Sequence, residues 1–340
     1  MGQITPVVGR RAAGSRLTAM LIALALLMLG GLAAAMAPRV LARASWPDRE
    51  PVLALWVWQC VVASVLLCCV LAMALSGAVA WDGVRGHLFA PAPAAVLDAY
   101  ALGPDDGRWW AAALAALLAA GGMWTAVMFA LQVRAARAAR RARRARLRER
   151  APFLPGEAAS DSGPGTGGRL IVLESDRPDA WLLTDGAERR LVITTAALRR
   201  LRGKQLDAVL AHEDGHARAR HHWLVHCAGA LAEGFPRVPV FAAFRDEVHR
   251  LVELAADDAA SRRFGRLTTA LALVGLNEDR GVFATPAHRD QLPQRVHRLL
   301  SPGGRLTPSR RLRMTAIAAL VPAIPLLLAF APGLSALGGG

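Results

Sequence analysis

The strongest constraint on the fold is a set of four long segments that contain no charged residue. They lie at about residues 17–37, 52–80, 109–133 and 314–337. An α-helix needs about 20 apolar residues to cross the hydrocarbon core of a bilayer, and a helix buried in a soluble protein would normally show a polar stripe. The sequence therefore predicts a mainly α-helical membrane protein with four transmembrane helices.

Arginines near the ends of these segments predict the orientation of the chain. A run of arginines at 134–150 follows the third segment, and further arginines at 305–313 precede the fourth. Such charges remain on the cytoplasmic side of a membrane. We therefore expect a multi-pass protein of the bacterial plasma membrane, with residues 134–313 in the cytoplasm and both termini outside. The alternative is a cleaved signal peptide that ends near Ala37, but it would force the larger arginine cluster outside.

The apolar segments also divide the chain into four parts. These are an N-terminal membrane domain at 1–133, a basic juxtamembrane helix and flexible loop at 134–168, a cytoplasmic α+β domain at 169–312, and the fourth span with a short tail at 313–340. Three short runs of β-forming residues open the α+β domain and predict a small β-meander.

The net charge of +15 is concentrated in the arginine run at 134–150. We expect this run to contact anionic lipid headgroups of the inner leaflet. Few aromatic residues accompany it to stack on bases, so direct nucleic-acid binding is not expected. Membrane lipids are the predicted partner of this segment.

A zinc-binding pattern, HExxH, occurs at His212, Glu213 and His216 inside a predicted helix. Histidines four residues apart share one helical face, so that both imidazoles can reach one metal ion. The carboxylate between them can activate a metal-bound water as a general base. By itself, the pattern could also be an exposed charged turn of a helix.

A second helix, predicted from about 240 to 263, supplies the remaining groups. Catalytic zinc sites take three protein ligands and keep one open position. We predict that His212, His216 and Glu253 bind one Zn²⁺ per chain. Asp257, one turn after Glu253, is predicted to accept a hydrogen bond from a ligand histidine.

Four other histidines lie within reach along the sequence, at positions 221, 222, 226 and 249. We expect the first three to be exposed or to lie at the membrane surface, although one of them, or His249, could stabilise the oxyanion of a tetrahedral intermediate. The segment at 223–244 is apolar but broken by charged residues and prolines. It is therefore expected to rest against the membrane surface without crossing it.

The order of these features resembles the membrane zinc metallopeptidases of the BlaR/MecR antirepressor family. The resemblance is carried by LDAVLAHEDGH followed by ARARHH, by ELAADDAA, and by the spans around them. It implies a gluzincin-type, minigluzincin-like protease domain that cleaves a cytoplasmic regulatory protein, such as a BlaI/MecI-like winged-helix repressor, in signal-dependent derepression of transcription. Nothing resembling a penicillin-binding sensor domain follows the fourth span, so β-lactam sensing is not expected.

Two other functions fit the same sequence. Membrane quality-control proteases similar to HtpX, and the CAAX prenyl proteases, share HExxH and ExxxD but place spans between the two motifs. A catalytically silent membrane scaffold is the other alternative, although a purely structural zinc site would not need the base Glu213. The substrate could add as a strand to the exposed edge of the sheet near residues 170–173.

Overall fold

The fold was analysed in a computed structural model that describes residues 18–100, 109–150, 168–176, 180–185, 188–277, 286–301 and 303–338. The N-terminus, which is predicted to lie outside the cell, and most of the loop predicted before residue 169 are not among these residues. The helices are α1 (Thr18–Ala42), α2 (Pro51–Ala80), α3 (Asp82–Leu88), α4 (Ala94–Ala99), α5 (Trp109–Arg150), α6 (Thr195–Arg200), α7 (Lys204–Arg218), α8 (His221–Gly234), α9 (Pro239–Phe264), α10 (Arg266–Asn277), α11 (Pro286–Leu300), α12 (Pro308–Leu320) and α13 (Ala323–Gly338). The strands are β1 (Gly168–Leu173), β2 (Ala180–Asp185) and β3 (Glu188–Thr194).

Three helices, α1, α2 and α5, are long and apolar enough to cross a membrane. The predicted fourth span forms two helices, α12 and α13, which are bent by 47° and pass the same test only together. Pro325 cannot donate a hydrogen bond to the carbonyl of Val321 at this break. The hydroxyl of Ser64 in α2 donates to that carbonyl at 3.4 Å. The described chain therefore has three or four candidate spans, as expected for a membrane-embedded protein.

The arginine run continues the third span without a break. Helix α5 extends from Trp109 to Arg150, although its apolar part ends at Val133. At 1.5 Å per residue, the arginine-rich part projects about 26 Å beyond that end. A charged segment of this length cannot remain in the hydrocarbon core, so it extends along or away from the membrane surface.

The sheet has the order β1-β3-β2, with β1 parallel and β2 antiparallel to β3. The predicted meander is therefore wrong, because β3 inserts between the first two strands. Val192 and Ile193 of β3 are fully buried, which favours a central position with partners on both sides. Thr195, which follows β3, is hydrogen-bonded to Ser175, which follows β1. The Thr195 hydroxyl accepts from the N–H of Ser175 at 3.2 Å and donates to the carbonyl of Ser175 at 3.1 Å.

The segment between the two motifs forms a helical hairpin, α8–α9, that packs against α1, α2 and α5. Its apolar side chains, such as Phe241 and Phe244, share one core with Trp58 of α2. At the tip, the indole N–H of Trp124 in α5 donates to the carbonyl of Gly234 at 2.9 Å. The segment expected at the membrane surface is thus in direct contact with the candidate spans.

The loop between α1 and α2 connects the spans to the α+β region. The carboxylate of Asp48 pairs with Arg250 of α9, and its carbonyl accepts a hydrogen bond from Arg298 of α11. Buried Glu50 lies 3.8 Å from the guanidinium of Arg311 in α12. Three helices of the C-terminal half therefore contact one short loop of the N-terminal half.

Candidate metal centre

The HExxH residues lie on α7, which packs closely against α9 because of a glycine. A Cβ atom at Gly215 would lie 3.2 Å from the Cβ of Ala259 and 3.5 Å from the Cα of Ala256. The first distance is shorter than an ordinary van der Waals contact, so a residue with a Cβ here would require the neighbouring helix to shift by a few tenths of an ångström. The glycine weakens the helix locally, but it allows the histidines of α7 to approach Glu253 of α9.

The structure brings together the three predicted metal ligands. Nε2 of His212 lies 3.2 Å from Nε2 of His216 and 3.6 Å from Oε2 of Glu253. Nε2 of His216 lies 3.4 Å from Oε1 of Glu253. Ligand atoms of a tetrahedral zinc site, with bonds of about 2.0–2.2 Å, are separated by roughly 3.3–3.6 Å. The 3.2 Å between the two histidine nitrogens and the 3.4 Å from His216 to Oε1 of Glu253, together with the chemistry of these donors, therefore fit a zinc ion.

Asp257 lies on the opposite side of His212 from the donor cluster. Its Oδ1 is 3.1 Å from Nδ1 of His212, and its side chain is only 1% exposed. When Nδ1–H of His212 donates to the carboxylate of Asp257, the other ring nitrogen, Nε2, keeps its lone pair. This lone pair then points toward the other metal-ligand candidates. Asp257 is thus in the position that the i,i+4 spacing predicts for it.

Arg295 of α11 is a component of the centre that the sequence analysis missed. Its Nε and Nη2 each donate to one oxygen of Asp257 at 2.8 Å, and its Nη1 lies 2.9 Å from Oε2 of Glu253. The side chain is buried, and a bidentate pair of this kind fixes both partners in orientation. One feature of the sequence could have indicated that Arg295 is buried. It lies on the same side of an amphipathic helix as the apolar residues Leu292, Val296 and Leu299.

The two histidines of the motif differ in their acid–base properties. Burial by itself would lower the pKa of His212, but hydrogen bonds to Asp257 and Glu253 outweigh it and raise this pKa to about 10. Burial and the neighbouring His212 charge lower the pKa of His216 to about 4. Without a metal, the first histidine therefore carries a proton near neutral pH and the second is neutral.

Both carboxylates stay ionised in spite of their burial. Burial would raise the pKa of Asp257, but hydrogen bonds from Arg295 and His212 lower it to about 2. The pKa of Glu253 is likewise well below its usual range, because the bond from His212 and the charge of Arg295 outweigh burial. Glu253 is thus a negative group that faces the donor cluster, and Asp257 is a negative acceptor behind His212.

His221, the first residue of α8, contacts the second histidine of the motif. It is 6% exposed, and its Nδ1 lies 3.0 Å from Nδ1 of His216. The expectation that it would be exposed is wrong for this residue. His222 is exposed, as expected, and His226 is half-buried; His249 is also exposed.

Glu213 lines the same cavity of about 250 Å³ as the metal-ligand candidates. Helices α10 and α11 close the other side of this cavity with apolar residues, among them Leu273, Leu276 and Leu292. A carboxylate beside a metal-binding cluster, in a cavity with one apolar wall, is the arrangement required to activate a water molecule.

Comparison with known proteins gave one match. Residues 157–302 match the family model described as Peptidase family M48. Neither the curated proteins nor the solved structures gave a match. The matched region contains every residue of the centre described above, from the HExxH motif to Arg295. The match covers less than half of the chain and shows that this region is similar to a peptidase family whose members generally bind zinc. Together with the apolar helices, this similarity supports membrane-associated metalloprotease activity.

Proposed function

We propose that the protein is an integral-membrane zinc metalloendopeptidase. His212, His216 and Glu253 bind one Zn²⁺, and Glu213 is the general base. The observation that carries the proposal is that one donor atom from each ligand lies within 4.8 Å of the other two. The cavity next to these donors also contains Glu213, so that metal ligands and base meet in one place.

The surrounding residues prepare each ligand for its role. Arg295 binds Oε2 of Glu253, so we assign Oε1 as the oxygen that faces the ion. Asp257 orients the ring of His212. Bound zinc supplies a water of lowered pKa and polarises the scissile carbonyl. With zinc bound, Glu213 would be the group that takes up a proton from water and delivers it to the leaving amine, and the apolar wall of the cavity would limit access of bulk solvent.

The sheet offers two edges for an extended substrate, and the structure favours β2. Strand β2 is the edge strand that packs against α7, whereas residues 170–173 lie on the opposite edge, in β1. We therefore propose strand addition along β2. Proline at Val172 should then leave cleavage unchanged. In β2, one of the two neighbouring residues Leu182 and Leu183 directs its N–H away from β3. Proline at that residue should impair cleavage without loss of zinc. Equal effects of proline in β1 and in β2 would refute strand addition along β2.

The substrate is proposed to be a cytoplasmic protein, because the arginines beside the spans predict that the site faces the cytoplasm. A regulatory protein such as a BlaI/MecI-like winged-helix repressor follows from the antirepressor resemblance. One observation favours the HtpX-like alternative, namely that the segment between the two motifs packs on the spans. Release of one regulator fragment would support the first function, and cleavage of many damaged membrane proteins would support the second.

The direct test is the Glu213→Gln variant, which keeps the size of the side chain but removes the base. New protein N-termini would be mapped in cells that express either form. We expect fragments that appear only with Glu213, while the zinc content of the purified variant is unchanged. The same fragments in both cell lines would refute the mechanism and leave the silent scaffold as the better explanation.

A further inference from the structure

We propose that His221 is a positioning residue for the metal ligand His216. It accepts a hydrogen bond from Nδ1–H of His216 and thereby keeps Nε2 available for the ion. This inference rests on the proposed function, and it assigns a role to a residue outside the HExxH and ExxxD motifs.

The proton positions follow from the chemistry of imidazole. A neutral ring carries one N–H and one lone pair, and Nε2 of His216 is the atom that faces His212 and Glu253, at 3.2 and 3.4 Å. If Nε2 binds the ion, the proton must be on Nδ1. That atom lies 3.0 Å from Nδ1 of His221. His221 must therefore accept through Nδ1 and hold its own proton on Nε2.

The contact depends on a break between two helices. Residues five apart on a continuous α-helix point about 140° away from each other, so His216 and His221 could not meet on one helix. The turn between α7 and α8 reverses this relation. Within the described parts of the chain, Arg220 is the one non-glycine residue with positive φ, at φ 52° and ψ 36°. This disfavoured conformation is retained where it brings a buried histidine to a metal ligand.

The partners of the two ligand histidines also differ in strength. Asp257 is an ionised acceptor that Arg295 holds in place, whereas His221 is a neutral acceptor. A charged acceptor forms the stronger hydrogen bond and increases the basicity of the ligand ring more. His221 should therefore contribute to zinc affinity in the same direction as Asp257, but by less.

The test measures zinc affinity of the full chain in detergent or lipid nanodiscs, by competition with a chromophoric chelator. His221→Phe removes the acceptor and keeps a flat ring, and it should bind zinc about 10-fold more weakly. His221→Asn retains an acceptor and should remain within about threefold of the unmodified chain. The exposed neighbour His222 gives the matched control, because His222→Phe should leave zinc affinity unchanged.

Cobalt substitution adds a readout of ligand geometry. The visible absorption bands of the Co²⁺ form should change in His221→Phe and be restored in His221→Asn. Zinc affinity and bands of His221→Phe equal to those of the unmodified chain would overturn the proposal. If the unmodified chain binds no zinc, the proposed function fails instead, so that the two failures can be distinguished.

The turn can be tested without touching either histidine. Arg220→Gly accepts the left-handed conformation and should preserve zinc affinity, whereas the β-branched Arg220→Val disfavours it and should weaken zinc binding. Equal zinc affinity in the two variants would exclude the turn as the element that positions His221. This pair keeps the proposal testable if His221→Phe does not fold.

Discussion

The two histidines of the metal centre lie one helical turn apart, yet their surroundings differ in kind. His212 is held by charge, through Asp257 and, behind it, Arg295. His216 instead contacts the neutral ring of His221. The turn at Arg220, a residue with positive φ, brings this ring into contact with it. Their pKa values differ as well: hydrogen bonds to Asp257 and Glu253 raise that of His212 to about 10, whereas burial and the charge of His212 lower that of His216 to about 4. The comparison shows that one helix can present two like ligands while different elements orient them.

The largest expected effect comes from removing the charge behind His212. Arg295→Met would leave the buried carboxylates of Asp257 and Glu253 without the arginine that pairs with both of them. We expect the metal-free protein to be destabilised by about 3–5 kcal/mol, measured by thermal or denaturant unfolding. Arg298→Met, which removes a more exposed arginine one turn later that pairs with Asp258, is the control. An equally large loss in the control would contradict a special role for Arg295.

A smaller effect is expected from neutralising the acceptor of His212. Asp257→Asn keeps the shape of the side chain but removes its charge, and the zinc affinity should fall by about 10- to 100-fold. Chelator competition would measure it beside His221→Phe. If a charged acceptor stabilises the zinc site more than a neutral one, Asp257→Asn should lose more zinc affinity than His221→Phe. If His221→Phe lost more, the distinction between a charged and a neutral partner would be reversed.

The smallest effect concerns protons that zinc displaces. The pKa of His212 is raised to about 10, so this ring is protonated in the metal-free protein at about pH 8 and must lose its proton to bind the ion. His216, with its pKa lowered to about 4, releases none. At about pH 5–6, where a zinc-bound water of pKa about 7 keeps its own proton, we expect about one proton per zinc and an affinity that rises about tenfold per pH unit.

Calorimetry in buffers of different ionisation enthalpy would count these protons. Zinc binding without proton release would show that His212 is neutral in the metal-free protein. At about pH 6, below the pKa of a zinc-bound water, release of about two protons would show that His216 is charged as well. Either result would remove the acid–base difference between the two histidines.

The sequence could predict those parts of the molecule that depend on local spacing. Uncharged segments about 20 residues long predicted the apolar helices, because desolvating a charge in a bilayer is costly. The i,i+4 spacing of His212 and His216, repeated by Glu253 and Asp257, predicted which side chains share a helical face. These pairs meet because Gly215 allows α7 and α9 to approach closely.

What the sequence could not predict depends on contacts between distant or interrupted elements. Arg295 is one of many arginines, and only the packing of α11 distinguishes it. His221 meets His216 because the helix breaks at Arg220, which no periodic pattern indicates. Strand β1 lies parallel to β3 through a connection that local turn signals cannot specify.

The most direct test of the account is the zinc content of the purified chain, measured by mass spectrometry together with the Glu253→Ala and Glu213→Gln variants. The account predicts about one zinc per chain for the unmodified protein and for Glu213→Gln, and a large loss for Glu253→Ala, since a catalytic site needs all three protein ligands. A full complement of zinc in Glu253→Ala would contradict the ligand set on which the proposed enzyme depends.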